Sequence, residues 1–235
     1  MTRCIFIHGG RCTGAIWGRL IEQLSGPALA VDLPGRNDPS KHAEATFAGW
    51  AASVVADMDR AGVAQGVLVG HSMAGGTMAA MARLYPERVA GVIWFAAVVP
   101  PDGGLFVEGL SERQQTHLRA QHAAGVITLD REGERAATST PERALVYAAE
   151  SSDALAPFFE PVSLAGLATT RLGQVRLLQD KAIELARQDL FLTRLRALGP
   201  CEVREVDANH MAMVNAPEAS ASAIESLLAA FGLAD

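Results

Sequence analysis

Residues 67–76 have the sequence VLVGHSMAGG, an apolar run that ends in a turn of small residues. The branched residues at 67–69 predict a buried strand, and the alanine- and methionine-rich segment 77–84 predicts a helix. Ser72 lies between them, where glycines permit a strained turn that a side chain would block. At such a corner the hydroxyl points over the carboxyl edge of the sheet. The amide of Met73 then begins the helix without an acceptor.

One position departs from the common pattern Gly-x-Ser-x-Gly, because Ala74 replaces the second glycine. A methyl group there is expected to crowd the contact between helix and strand, at a cost of about 1–3 kcal/mol if nothing adjusts. We expect Gly75 and Gly76, directly after it, to relieve that crowding. A plain Gly/Ser turn would show the same pattern, so the motif alone is only a hypothesis of catalysis.

Length and composition predict one globular α/β domain. The chain has 235 residues, of which 49% are hydrophobic and 20% charged. A net charge of −6 with no basic cluster argues against a nucleic acid or an anionic membrane as partner. An apolar strand is expected from Cys4 onward, and no signal-peptide pattern precedes it. The three cysteines, Cys4, Cys12 and Cys201, are odd in number. These features predict a cytoplasmic protein without a disulfide framework.

The chain order predicts six strands that alternate with helices. The strands are expected at 3–8, 28–31, the run before Ser72, 89–98, 174–178 and 201–206, and the helices at 15–24, 47–61, 77–84, 183–198 and 217–231. Because the strands are continuously apolar, they predict a mainly parallel sheet with helices on both faces.

Residues 101–171 interrupt this alternation of strands and helices. They contain helical patterns at 110–124, 141–150 and 153–159 and no convincing strand. We therefore expect a small helical cap inserted after the fourth strand. The chain 1–235 is then one domain, with a core formed by residues 1–100 and 172–235.

Three residues with complementary chemistry follow predicted strands, in the order Ser72, Asp180, His210. A serine hydroxyl needs a base within hydrogen-bond reach, and the base needs an acid that orients it. The carboxyl ends of parallel strands meet at one edge of the sheet, so these three side chains are expected to converge. Two alternatives remain open: Asp180 as a helix cap, and Asp207 as the acid, although Asp207 is better placed for an Asx-type bond in its own turn.

The chain resembles the α/β-hydrolase superfamily over essentially its whole length, and within it the compact branch of plant methylesterases and hydroxynitrile lyases. Four segments carry the resemblance: His8-Gly9-Gly10 with Trp17, the run 96–103, Gln179–Ile183, and Ala208–Met213. The departures are Ala74, Glu184 after the acid turn, and Asn209 before the histidine.

The resemblance implies a catalytic role for each residue of the triad. Ser72 attacks an acyl carbonyl, His210 transfers its proton, and Asp180 orients the imidazole. The backbone amides of Gly10 and Met73 form the oxyanion hole. The resemblance requires no metal and no cofactor. His71 is expected to pack beside the turn at Ser72 and not to act as a base, and His8 to brace the oxyanion loop.

Other residues are candidates for contact with the substrate. Gly9 and Met211 flank the implied catalytic groups, and the aromatic residues Tyr147 and Phe158 of the cap are candidates for lining an acyl pocket, with scaffold packing an equal alternative.

The expected activity is hydrolysis of a small or medium, mostly apolar carboxylic ester, with a homodimer left open. Three alternatives remain: a thioesterase or lactonase, a hydroxynitrile-lyase-like enzyme, and a binding protein without turnover. The plant lyases have a threonine after the first-loop histidine and a lysine after the catalytic histidine, where this chain has Gly9 and Met211.

Overall fold

A six-stranded parallel sheet forms the centre of the computed structural model, which describes residues 3–35, 38–129 and 151–234. Its strands are β1 (Arg3–Ile7), β2 (Ala28–Val31), β3 (Gly66–His71), β4 (Val89–Phe95), β7 (Leu172–Leu177) and β8 (Cys201–Val206). Their order across the sheet is β2-β1-β3-β4-β7-β8. The predicted fold class is confirmed by this sheet.

Helices cover the two faces of the sheet. They are α1 (Gly18–Ile21, directly after a 3₁₀ turn at Gly14–Trp17), α2 (Phe47–Arg60), α3 (Ala74–Leu84), α5 (Leu185–Arg196), α6 (Ala212–Asn215) and α7 (Pro217–Ala230). Helix α4 (Glu112–Ala123) lies instead in the inserted cap and packs on a 3₁₀ turn at Phe106–Gly109. The first helix is shorter than expected from the apolar pattern at 15–24, because its first turn is 3₁₀.

The continuous apolar runs of the strands arise because both faces are buried. Along β1, Ile5 and Ile7 pack into the core on one face, whereas Cys4 and Phe6 pack into the core on the other. Alternate residues of a strand point to opposite faces, so a sheet between two helical layers needs apolar residues at every position. The edge strand β8 is only partly buried, and its sequence is correspondingly more polar.

The cap differs from the all-helical expectation. Two short strands, β5 (Thr128–Leu129) and β6 (Asp153–Ala154), pair antiparallel within it. The predicted helix at 153–159 is wrong: β6 is followed by a 3₁₀ turn at Ala156–Phe159. Strands of two residues are too short to produce an alternating pattern, which is why the sequence did not reveal them. The pattern at 141–150, with Tyr147, lies outside the described residues.

Strand β4 ends three residues earlier than its apolar run. The run continues to residue 98, but the strand stops at Phe95 because Ala96 adopts a positive φ of 44°. Hydropathy does not detect such a backbone reversal, since the residues beyond it stay buried.

Candidate active site

Three described residues other than glycine adopt a positive φ, and all three follow strands at the carboxyl edge of the sheet. They are Arg11 (57°) after β1, Ser72 (52°) directly after β3, and Ala96 (44°) directly after β4. Each such conformation costs about 1–3 kcal/mol and persists only where the surroundings impose it. This concentration of strain marks one edge of the sheet as the candidate site.

Ser72 is held at the tip of the turn from both sides. Its amide donates to the carbonyl of Ala96 at 3.2 Å, and its carbonyl accepts from the amide of Val98 at 2.9 Å. Gly75 makes this close approach possible, since a Cβ there would overlap the carbonyl oxygen of Val98. The extension of β4 therefore fixes the serine in its strained conformation.

The crowding expected at Ala74 is relieved by a different glycine from the two predicted. A Cβ on Gly70 would lie 3.0 Å from the methyl group of Ala74, so it is the bare backbone of Gly70 in β3 that leaves room for that methyl. Gly76 instead accommodates the ring of Phe47. The expectation failed because it considered neighbours in sequence, whereas the methyl group faces the preceding strand.

Asp180 and His210 are joined directly. The Nδ1 atom of His210 lies 2.7 Å from Oδ2 of Asp180, whose side chain is fully buried. The other carboxylate oxygen accepts the amides of Ala182 at 2.8 Å and Ile183 at 2.9 Å. Because an ionised carboxylate only accepts, Nδ1 of the neutral ring carries the proton and Nε2 is left with a free lone pair. The carboxylate thus both caps its turn and orients the imidazole.

Asp207, the alternative acid, faces another residue. Its Oδ1 accepts from the side-chain amide of Gln179 at 2.9 Å. The Asx-type bond expected of Asp207 is made by Asn209, whose Oδ1 accepts from the amide of Met211 at 2.9 Å. The same oxygen accepts from the side-chain amide of Asn215 at 2.6 Å. This bond joins the loop that carries His210 to α6.

His71 supports the loop that carries His210. Its Nε2 donates to the carbonyl of His210 at 2.9 Å, and the two rings lie 4.3 Å apart. Complete burial, followed by the nearby charge of His210, lowers the pKa of His71 well below its usual value. Burial therefore favours the neutral form of the His71 imidazole.

His8 supports the loop after β1 in a similar way. Its Nε2 accepts the amide of Leu33 at 3.1 Å, so its Nδ1 carries the proton and donates to the carbonyl of Gly9 at 2.9 Å. A Cβ on Gly10 would lie 3.8 Å from Cβ of Met73, so the two residues meet across the loops. Within the described residues, neither of their amides donates a hydrogen bond.

The cap contributes Asp153, which the sequence did not single out. This buried carboxylate accepts the amide of Arg11 at 2.9 Å and lies 3.0 Å from the Cβ position of Gly10. The amide of Ser151 also donates to the carbonyl of Arg11 at 2.9 Å. These two contacts hold Arg11 in its strained conformation. The sequence gave no signal for them, because Asp153 is a single aspartate in a weakly patterned segment.

Gln188 is a second residue that the sequence did not reveal. Its fully buried side chain accepts the amide of Leu177 at 2.9 Å and donates to the carbonyls of Leu177 and Ile183 at 3.0 and 2.8 Å. It therefore joins the end of β7 to the turn that carries Asp180. Its polarity within the apolar face of α5 is the only feature that could have indicated this role.

The remaining predicted residues have different surroundings. Gly9 packs against the turn at Ser72, where a Cβ would lie 3.0 Å from Cβ of Ser72. Phe158 is buried against Phe106 with ring centroids 5.8 Å apart, and Met211 is half-buried beside His210. No hydrogen bond within the described residues joins the hydroxyl of Ser72 to the ring of His210. Catalytic hydrogen bonds often tighten only when substrate binds.

Comparison with known proteins identifies the family to which the chain belongs. A sequence model described as the alpha/beta hydrolase family matches residues 4–223. The chain belongs to the alpha/beta hydrolase family. In this hydrolase, the described residues contain no group of three or more histidine, cysteine or acidic side chains that could hold a metal ion. Nor does the described part contain a helix with the length and hydropathy needed to cross a membrane.

Several solved structures share the fold of this hydrolase. An extracellular alpha/beta-hydrolase from a Paenibacillus species, described as homologous in structure and function to tobacco salicylic acid binding protein 2, is 20% identical. It superimposes with a TM-score of 0.80 over 97% of this chain and 99% of its own. A pyrethroid hydrolase from Sphingobium faniae JZ-2 is 22% identical, with a TM-score of 0.74 over 97% and 98% of the two chains. Polyneuridine aldehyde esterase is 17% identical, with a TM-score of 0.69 over 98% and 99%.

A curated relative matches part of the sequence. The dihydrolipoyllysine-residue acetyltransferase component of the acetoin cleaving system from Cupriavidus necator is 36% identical over 102 residues. The match covers 42% of this hydrolase and 26% of the relative, so the chain spans only about a quarter of that protein.

Proposed function

We propose that the protein is a serine hydrolase that cleaves carboxylic esters through an acyl-enzyme on Ser72. The observation that carries this proposal is the 2.7 Å contact between Nδ1 of His210 and Oδ2 of Asp180. This contact fixes the ring so that Nε2 is free to act as a base, at the sheet edge where Ser72 adopts its strained turn. An orienting carboxylate, a basic imidazole and a serine hydroxyl are the groups that acyl transfer needs.

The geometry supports a two-step reaction. Oγ of Ser72 attacks the ester carbonyl while Nε2 of His210 takes its proton, and the charged ring is stabilised by Asp180. The amides of Gly10 and Met73 stabilise the oxyanion, and one such donor is typically worth about 3–4 kcal/mol in the transition state. His210 then protonates the departing alkoxide. Water, deprotonated by the same ring, releases the acid and restores Ser72.

Carboxylic esters are the first choice of substrate class. Two of the structural relatives are named as a pyrethroid hydrolase and as an esterase, which favours ester cleavage over other acyl transfers. The buried apolar rings of Phe106 and Phe158 lie in the cap. A thioester or a lactone would use the same groups, so these remain the second candidates.

The geometry is unfavourable for a hydroxynitrile-lyase-like reaction. A side chain at Gly9 would approach Nδ1 of His71 to 2.9 Å, so a threonine there would displace the nucleophile turn. Met211 provides no cation beside His210 to stabilise a departing cyanide. Both departures favour hydrolysis.

The direct test is turnover of p-nitrophenyl acetate and butyrate by the wild type and by Ser72→Ala. We expect the substitution to abolish turnover, with no change in melting temperature beyond a few degrees, because the hydroxyl makes no structural hydrogen bond with a described residue. A serine-reactive phosphonate should add one label to the wild type and none to the variant, located by peptide mass spectrometry. Undiminished turnover in Ser72→Ala would refute the proposal.

A further inference from the structure

The chain reversal at Ala96 leaves the end of β7 without β4 beside it. Strand β4 pairs with β7 as far as Phe95 and Val175, and the amide of Ala96 then donates to the carbonyl of Val175 at 3.1 Å. Alternate residues of a parallel strand direct their backbone groups to the same neighbour, so the N–H and C=O of Leu177 face the side that β4 has left. The carbonyl of Ala96 accepts the amide of Ser72, so this departure of β4 belongs to the support of the turn at Ser72.

Gln188 takes the place of a strand beside Leu177. Its Oε1 accepts the amide of Leu177 at 2.9 Å, and its Nε2 donates to the carbonyl of the same residue at 3.0 Å. Nε2 also donates to the carbonyl of Ile183 at 2.8 Å. A glutamine side chain has two N–H donors and one accepting oxygen, so these contacts use both donors. The side chain thus satisfies backbone groups that β4 no longer reaches.

The same contacts fix both ends of residues 178–182, the segment that we call the acid turn. Leu177 and Ile183 flank this segment, and Gln188 binds both of them. The amide of Ile183 in turn donates to Oδ1 of Asp180 at 2.9 Å. Ile183 is therefore held through its carbonyl by Gln188 and holds the carboxylate through its amide.

Burial makes these contacts hard to replace. Gln188, Leu177 and Ile183 are all buried, so water is a poor substitute for the side-chain amide. Side chains of a helix lean toward its N-terminus, which lets the fourth residue of α5 reach back to the acid turn. Without the side-chain amide, the N–H of Leu177 and the C=O of Ile183 would lack a partner. They could regain one only if the acid turn moved.

We propose that Gln188 is a positioning residue for the acid of the proposed triad, because it fixes the acid turn and so sets Oδ2 of Asp180 against Nδ1 of His210. This inference rests on the proposed acyl-transfer function and adds to it a residue that acts only through Asp180. A displacement of about 1 Å in a catalytic group can cost about 10²-fold in rate, whereas an asparagine in place of the acid costs about 10⁴. The effect of Gln188 should therefore be smaller than that of Asp180.

The test compares Gln188→Met with Gln174→Met in the hydrolysis of p-nitrophenyl butyrate. Methionine has a similar length to glutamine and removes its hydrogen bonds. Gln174 is the matched control, because it is equally buried and its Nε2 donates at 3.0 Å to the backbone carbonyl of Gln188, outside the acid turn. We expect Gln188→Met to lower kcat by about 10- to 100-fold with KM changed by less than about twofold. Gln174→Met should keep kcat within about threefold of the wild type.

The double variant Asp180→Asn/Gln188→Met separates positioning from general damage to the fold. If Gln188 acts through the acid, its replacement should change kcat by less than about twofold once residue 180 is asparagine. Damage to the fold would instead lower kcat by the same factor in both backgrounds. If Gln188→Met does not fold, Gln188→Glu replaces it in the same comparison. Burial favours the neutral acid, which keeps the acceptor for Leu177 and one donor, so kcat should fall by about 3- to 10-fold.

The Nδ1 proton of His210 provides a readout without turnover. A proton held between an imidazole and a buried carboxylate gives a downfield proton NMR resonance, which we expect in the wild type and in Gln174→Met. In Gln188→Met it should move upfield or disappear through exchange with water.

In an enzyme with serine-dependent turnover, an unchanged kcat in Gln188→Met would overturn the inference, as would an equal fall in kcat in the wild-type and Asp180→Asn backgrounds. A wild type without serine-dependent turnover would refute the proposed function, and the resonance of His210 would then decide the role of Gln188. Its loss in Gln188→Met alone would support positioning, and an unchanged resonance would overturn it.

Discussion

Replacing Asp180 by asparagine tests the orientation of the imidazole. The two carboxylate oxygens have different surroundings: Oδ1 faces the amide donors of Ala182 and Ile183, and Oδ2 faces Nδ1 of His210. The oxygen of an asparagine would stay with the two backbone donors. The reverse orientation would lose both bonds and set donors against donors, and each buried donor left unpaired costs about 1–3 kcal/mol.

This preference directs the NH₂ group of the asparagine at His210. A donor facing Nδ1 requires that nitrogen to accept, so the proton of the neutral ring moves to Nε2. The ring then cannot take the proton of Ser72. In serine proteases the same exchange lowers kcat by about 10⁴, which corresponds to about 5.5 kcal/mol in the activation barrier.

The assay is steady-state hydrolysis of p-nitrophenyl butyrate at neutral pH by Asp180→Asn. We expect kcat to fall by about 10⁴ with a small change in KM, because the loss concerns the proton and not the substrate. The matched control is Asp207→Asn, whose carboxylate faces Gln179 and should be dispensable. Severe loss in Asp207→Asn with near-normal turnover in Asp180→Asn would refute the assignment of the acid.

Two further predictions concern stability. Gly75→Ala should lower the free energy of unfolding by about 3 kcal/mol or more, because the new methyl group overlaps the carbonyl of Val98. Gly18→Ala, in open space within α1, is the matched control and should be neutral or stabilising in urea denaturation; equal stability of the two variants would contradict this packing. Because the pKa of His71 is lowered in the folded state, the unfolded chain takes up this proton first as the pH falls below about 6.5. The free energy of unfolding therefore decreases as the pH decreases. In urea denaturation of the wild type at several pH values, this group should change the free energy of unfolding by up to about 1.4 kcal/mol per pH unit. His71→Gln, which keeps an N–H donor for the carbonyl of His210, should lose that part of the pH dependence. An identical pH dependence in both proteins would show that His71 titrates normally.

The sheet and the turn at Ser72 were predictable because their causes are local. Apolar runs follow from burial on both faces, and the turn at Ser72 follows from glycines within a few residues of it. The order Ser72, Asp180, His210 adds chain topology, since each residue follows a strand that the pattern already indicated. These properties depend on neighbours along the chain, so the sequence alone determines them.

The tertiary structure decided everything that depends on which distant groups meet. It set Asp180 against His210 and Asp207 against Gln179, although both acids follow strands at the same edge. It also placed the carboxylate of Asp153 on the amide of Arg11, a residue 142 positions away. Hydrogen bonds between remote segments leave no periodic pattern in the chain, because their partners are chosen by how the layers pack.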